Sequence, residues 1–342
     1  MKVVCLASRL VLLCLAVSAL HSVAQAQFII RFVASTGNDA NPCTRPAPCR
    51  SMQRGVDATP DGSELQVIDN AGYGPNVTIT KNITISADGV QATVATVSGI
   101  GIHINAPGAT VRLRHLRLMG AGATQAGIRV TDAASVRIEN CVIDGFGNAG
   151  ISYDVQAGSQ LHITDTISSN NGAGGLHVFG PQLVVAGRVG AQLALDAATV
   201  SVSGSKFLHN DGNGVNFDTG FINASITDSV MSGNSFDGVR AGSPSATASC
   251  DRCTAADNGQ DGFLASNNGA LTVTHSVARG NSSSGMEARG GGRMRVSDSA
   301  ATDNDGFGFR QRTGGTFETI GNNLVSGNGT DVSGTVNNIG GV

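Results

Sequence analysis

The chain has 342 residues, with 22 Lys and Arg against 25 Asp and Glu, a formal net charge of −3 and 14% charged residues. So mildly acidic a balance argues against nucleic acid and anionic membrane surfaces, which select basic faces. With 47 glycines, no tryptophan and two tyrosines, the composition suits disorder unless a period organises the apolar residues.

The first segment carries Lys2 and Arg9, then the apolar run VLLCLAVSAL (11–20), then AQA at 24–26. A basic start, a short apolar core and a small-x-small site describe a secretory leader. Cleavage is expected after Ala26, giving a secreted or periplasmic protein. The run is too short to span a bilayer, and membrane insertion is not expected. Leu13 before Cys14 is bulky where a lipid-attachment site takes a small residue. Loss of 1–26 leaves Lys81 and Lys206 as the lysines, and 22 basic residues less Lys2 and Arg9 against 25 acids is about −5. It also leaves five cysteines, an odd count that implies at least one free thiol in an oxidising compartment. Cys43 and Cys49, in the proline-punctuated NPCTRPAPC, are the expected disulfide, while the pairing of Cys141, Cys250 and Cys253 stays open.

Residues 27–62 read as an opening segment and cap. SMQRGVDA (51–58), with Met52 and Val56 four apart, predicts a short helix that lids the N-terminal end. Residues 63–332 carry a long period. Gly followed by an apolar residue recurs at Gly127, Gly150, Gly175, Gly214, Gly238, Gly262, Gly285 and Gly308, in steps of 23, 25, 39, 24, 24, 23 and 23. Asn keeps step at Asn210, Asn234, Asn258, Asn281, Asn304 and Asn328, predicting a ladder of stacked amides at one corner. The 39-residue step is explained by an insertion, PQLVVAGRVGAQLALDA (181–197).

Inside each unit the period is two: VRIE (136–139), LHIT (161–164), VSVS (200–203), LTVT (271–274) and MRVS (294–297) alternate apolar and polar. Alternation of this kind marks half-buried strands. Short strands repeating at this interval predict an all-β, right-handed parallel β-helix of about ten coils, a rod roughly 50 Å long. A propeller blade needs about 40 residues and four strands, more than these units hold. A sandwich would not keep register between units. The tail, 333–342, is expected to cover the last coil.

From Arg31 to Gly89 the sequence resembles the opening segment of secreted bacterial right-handed β-helix proteins of the pectin lyase-like superfamily. The matching stretches are FVASTGNDANPCTRPAPCRSM and GSELQVIDNAGYGPNVTITKNITISADG, including Gly72, Tyr73, Val77, Thr78, Ile79 and Lys81. The resemblance implies the fold; function has to come from a site. The Asn-Thr-Asp, paired-Asp and Gly-His-Gly set of polygalacturonases, the Asp-Pro-His-Asp of mannuronan epimerases and the Trp-Ile-Asp-His of pectate lyases do not occur here. No catalytic role carries over residue by residue.

Function on such a rod lies on outward stripes. One reads Arg112, Arg137, His162, Ser201, Ser225, Ser249, Thr272, Arg295; a second reads Arg129, Ser152, His177, Asn216, Arg240, Leu264, Glu287, Arg310. Both are richest in Arg and His over 112–177, making Arg112, Arg129, Arg137, His162 and His177 the candidate ligand-binding residues. Guanidinium forks suit the carboxylates of an acidic polysaccharide or cell-surface glycan. The alternative is a solvated polar face with ions paired across coils, Glu139 with Arg114 for instance. The absent tryptophan and scarce tyrosine disfavour a sugar-stacking cleft.

Asp165, Asp228 and Asp298 share one register position and read as turn residues. CDRC (250–253) has no matching His or Cys cluster, so buried ladder residues explain it better than zinc. Asp237 and Asp261, before successive repeat glycines, are weak metal candidates read mainly as a solvated turn, and the DNDG (303–306) and DNGQDG (257–262) stretches have incomplete calcium-ligand spacing. No cofactor is expected, calcium being the one considered. The sequence therefore reads as a glycan- or surface-binding β-helix without a recognisable catalytic set. The alternative is a polysaccharide lyase or epimerase that uses the Arg/His face.

Overall fold

The computed structural model describes residues 28–122, 124–180 and 196–340; the expected leader at 1–26 and most of the insertion at 181–197 lie outside them. The strands form a 22-stranded and an 11-stranded sheet, and the described helix is Met52–Ala58 (α1). Most coils contribute three short strands, as in Asn213–Phe217, Ile222–Thr227 and Val230–Ser232, while Ile102–Arg114 and Ile128–Glu139 each run the first two together. The first two strands of each coil stack into two faces of the larger sheet, and the third stacks into the smaller. Coils pair in parallel: Val215 faces Val239, Ile226 faces Cys250 and Met231 faces Ala255. The architecture is the predicted β-helix, with about 11 turns by the strand count of the smaller sheet.

Alternation becomes stacking in the core. Ile102, Ile128, Ile151, Leu176, Val215, Val239, Phe263, Met286 and Phe309 form one inward column, none more than 3% exposed. Burying one such side chain is worth about 1.5–3 kcal/mol, so the column alone is a large part of the driving force. The repeat glycine is fixed by a close approach rather than by φ. A Cβ on Gly238 would sit 2.6 Å from the Gly262 carbonyl oxygen and 2.9 Å from Ala255 Cβ.

The asparagine ladder forms and begins one coil earlier than the sequence suggests, at Asn171. Each Nδ2 donates to Oδ1 of the next Asn, from Asn171→Asn210 (3.0 Å) through Asn234→Asn258 (3.0 Å) to Asn304→Asn328 (2.8 Å). The second Nδ2 hydrogen meets a backbone carbonyl, as from Asn258 to Met231 O at 3.1 Å, and the Asn234 N–H also donates to Asn258 Oδ1. A second inward column runs Cys141, Thr166, Ser205, Ser229, Cys253, Ser276, Ser299. Backbone N–H groups donate along it to the next hydroxyl, as from Cys253 to Ser276 Oγ at 3.0 Å. Cys141, Cys250 and Cys253 are buried free thiols, and burial pushes the Cys141 thiol up to about 12. The turn reading of Asp165, Asp228 and Asp298 is correct: with Asn140, Arg252 and His275 they hold φ between 47° and 53°.

At the N-terminal end Cys43 and Cys49 are joined by a disulfide, and α1 buries Met52, Gly55 and Val56. Ser51 caps it, its side chain accepting from the Arg54 N–H at 3.3 Å. The other end is built from strand. Val336–Asn338 pairs in parallel with Thr316–Thr319, so the described tail continues the solenoid instead of folding across it.

Candidate functional site

Both outward stripes exist in the predicted register, on different faces of the larger sheet. Arg112, Arg137 and His162 stack in three successive coils on the face carrying Gln160–Thr164. Arg129, Ser152 and His177 stack on the face carrying Ala149–Asp154. The five candidates are therefore two rows and do not line a single patch.

In the first row Arg112 Nε meets Glu139 Oε1 at 3.1 Å, a correction to the expected Arg114–Glu139 pair. Arg114 turns instead to Asp88, which also takes His115 Nδ1 at 2.6 Å. His162 is held below the usual imidazole range by burial and by Arg137. This row conforms largely to the bland expectation of ions paired across coils.

The second row is different. It continues upstream to His103, whose Nε2 lies 3.0 Å from Thr131 Oγ1. Arg129 Nη2 approaches Asp154 Oδ2 at 3.5 Å, and His177 Nε2 lies 3.6 Å from Asp218 Oδ2, both long for hydrogen bonds. Burial lowers the pKa of His103 and His177, and burial raises that of Asp154 against the pull of Arg129. Five buried polar atoms on and beside the row have no hydrogen-bond partner among the described residues, Arg129 Nε, Asp154 Oδ1, His177 Nε2, Asn216 Oδ1 and Arg240 Nε, against Arg112 Nε and His162 Nε2 on the first row. Buried polar atoms in native proteins are nearly always paired, so the second row carries the larger share of unmet hydrogen-bonding capacity.

Downstream, the same face carries a feature that sequence reasoning missed. Asp237 and Asp261 are 2% and 1% exposed, which overturns the solvated turn. Their Oδ1 atoms accept backbone N–H groups of the next coil, Asp261 N at 3.1 Å and Ser284 N at 2.9 Å. Burial first and Asp261 second push Asp237 up to about 7; burial and then Glu287 raise Asp261. Glu287 is fully buried and takes the Ser284 hydroxyl at 3.0 Å. Three guanidiniums surround it: Arg289 Nη1 at 3.1 Å, Arg310 Nη1 at 3.4 Å and Arg312 Nη1 at 3.6 Å. The signal was present in the register, since the residue before the repeat glycine and the residue two after it lie side by side. Ser284 with Glu287 and Phe307 with Arg310, 4.0 Å above its ring, show that pairing.

Among the described residues no group of three His, Cys, Asp or Glu side chains is placed to hold a metal ion. In the two calcium-like stretches Asn258 and Asn304 belong to the amide ladder, and Asp257 and Asp303 occupy left-handed turn positions.

The sequence profile of the right-handed β-helix region matches residues 63–220 and 213–340. The chain belongs to the right-handed β-helix family. This β-helix is similar to the A-module of a mannuronan C-5 epimerase from Azotobacter vinelandii, at 14% identity and a TM-score of 0.62, over 83% of this chain and 93% of that one. A pectate lyase follows at 17% identity and a TM-score of 0.48, over 92% of this chain and 81% of that one. No curated protein sequence matches. At 14% identity the likeness to the epimerase module shows the β-helix fold and nothing finer.

Proposed function

We propose that this β-helix binds an acidic polysaccharide along the row His103, Arg129, Ser152, His177, Asn216, Arg240, and that it does so without cleaving it. The observation that carries the reading is a row of partly exposed charged side chains whose ion contacts are long, Arg129 to Asp154 at 3.5 Å and His177 to Asp218 at 3.6 Å, and so are free to be exchanged for a ligand's. The partly exposed Arg129 guanidinium is a donor for uronate carboxylates, and the Asp154 carboxylate an acceptor for sugar hydroxyls. With no tryptophan in the chain, recognition rests on ion pairs and hydrogen bonds instead of ring stacking. The fold shared with a mannuronan epimerase module makes a polysaccharide the natural class to test.

Affinity electrophoresis in alginate, polygalacturonate and neutral dextran tests this reading. Retardation by the two uronates, weakened on the order of tenfold in Arg129→Ala, is the expected result. No retardation by either uronate would end it. Such a polymer is met outside the cytoplasm, in keeping with the leader read at 1–26. The mass of the exported protein should place its N terminus at Gln27.

A second reading is supported by His177. Burial lowers its pKa, so the ring is neutral at neutral pH and free to take a proton α to a uronate carboxylate, with Arg129 and Arg240 in the same row to hold the charge that develops. Unsaturated uronate absorbance appearing with wild type and vanishing in His177→Ala would replace binding with lyase chemistry.

A further inference from the structure

The three arginines around Glu287 are more cation than that site needs. One carboxylate faces three guanidiniums. The next acid, Asp261, places Oδ2 3.9 Å from Arg289 Nη1, without a hydrogen bond of its own. Counting Asp261 as charged the cluster is net +1; counting it as protonated, the direction in which burial pushes it, the cluster is net +2. Either way positive charge is left over.

The geometry holds that charge ready at the surface. Glu287 is fully buried, while the Arg289, Arg310 and Arg312 side chains are 34%, 25% and 49% exposed. One end of each guanidinium is thus tied inward and the other faces solvent. Arg310 is fixed further by its stacking on Phe307. Arg289 and Arg312, with Gly290 and Thr313, line an open cavity of about 360 Å³. A planar fork whose orientation is already set loses little entropy on meeting an oxyanion.

We propose that Arg289, Arg310 and Arg312, organised by the buried Glu287, form an oxyanion site that takes a carboxylate or sulfate group carried on a polysaccharide. The proposal deepens the polysaccharide reading and rests on it for the polymer, but not for the anion. The site lies four strand spacings from His177 along the same column, about 19 Å. One chain lying along the rod would engage the upstream row and the arginine site together, and gain affinity from both.

The test uses the full-length protein and Arg312→Ala, which leaves Glu287 paired with Arg289 and Arg310 and so keeps the fold. Circular dichroism checks that it does. In titrations with polygalacturonate, dextran sulfate and neutral dextran, Arg312→Ala is expected to bind a polyanion on the order of tenfold more weakly than wild type, and dextran to bind neither. A loss confined to dextran sulfate assigns sulfate to the site; one confined to polygalacturonate assigns carboxylate. Equal affinity of folded wild type and variant overturns the arginine site, even if Arg129→Ala weakens binding. If wild type binds no polyanion, the polysaccharide reading falls. The anion site is then judged by phenylglyoxal modification of Arg289 and Arg312, read by peptide mass spectrometry. Protection by inorganic sulfate supports it, and unchanged modification overturns it.

Discussion

Asn234 and Asp237 stand three residues apart in one turn, and each belongs to a row of Asx side chains running along the rod. Both rows are buried, and both use Oδ1 to accept a backbone N–H from a neighbouring coil. The resemblance ends at the other atom. An amide has donors as well as an acceptor, so the five Asn from Asn210 to Asn304 each give one hydrogen to the next Asn and one to a carbonyl, and with Asn171 and Asn328 at the ends seven residues stack without conflict. A carboxylate has no donor unless protonated. Its row holds two acids, and it meets that limit by raised proton affinity and by nearby arginine. Identical backbone geometry therefore supports an indefinite stack of one side chain and only a short run of the other.

Breaking the amide row should have the largest effect. Asn258→Ala removes the acceptor for two Asn234 donors and the donor to Asn281 and Met231, all buried. A loss of roughly 3–5 kcal/mol in urea-unfolding stability is expected. A loss below about 1 kcal/mol would show that the ladder merely fills space.

Converting the acid row into an amide row sharpens the comparison from the other side. Asn213 already occupies the Asp237 position one coil upstream and donates nothing that the turn rejects. The folded pKa of Asp237, about 7, lies above its ordinary value of 3.8, so the folded state binds the extra proton between those values. Wild-type stability therefore falls as pH rises from about 4 to about 7, by at most about 4 kcal/mol from this group. Asp237→Asn should remove that slope and be more stable than wild type at pH 8 by roughly 1–3 kcal/mol. The two proteins should converge near pH 4. Melting curves across that range decide the matter, and a parallel pH dependence in the two proteins would contradict the buried-acid description.

The smallest effect belongs to the hydroxyl column. Cys253→Ser places there the residue that Ser229 and Ser276 already supply to the same turn. Stability should change by less than about 1 kcal/mol, a threshold that calorimetry resolves. A larger change would mean that the Cys253 thiol, whose Sγ lies 3.5 Å from the Ile226 carbonyl oxygen, matters beyond packing.

Most of the fold was legible in the sequence because a solenoid repeats its own constraints. Gly238 and Gly262 announce the close approach of coils, Asn234 and Asn258 the amide corner, and LTVT (271–274) the strand that follows. The site was legible only in part. Period-two reasoning correctly put Arg129 and His177 on an outward column, but it does not report which outward residues their neighbours cover. Asp237 and Glu287 look solvated in a single coil and become buried through the coils on either side. The repeat glycine and the apolar residue after it both lie against the core, as Gly285 and Met286 do, which breaks the simple alternation and hides the adjacency of Ser284 and Glu287. The expected Arg114–Glu139 pair gives way to Arg112–Glu139 for a related reason, since Arg114 has a nearer carboxylate in Asp88, in a corner that strand alternation does not describe.

The amide ladder has a polarity as well as a pattern. Every Nδ2 points toward the C-terminal end and every Oδ1 toward the N-terminal end, so the side-chain dipoles align head to tail, much as peptide dipoles do in an α-helix. Such a line is positive where its last donors emerge, at Asn328. The next step of the repeat falls at 331, and there the glycine is replaced by Asp331, whose Oδ1 accepts from Asn328 N at 3.2 Å and Nδ2 at 3.0 Å. Those are the two bonds a further asparagine would have made. The carboxylate serves this column as a C-terminal counterpart of a helix N-cap, neutralising a dipole built entirely from side chains.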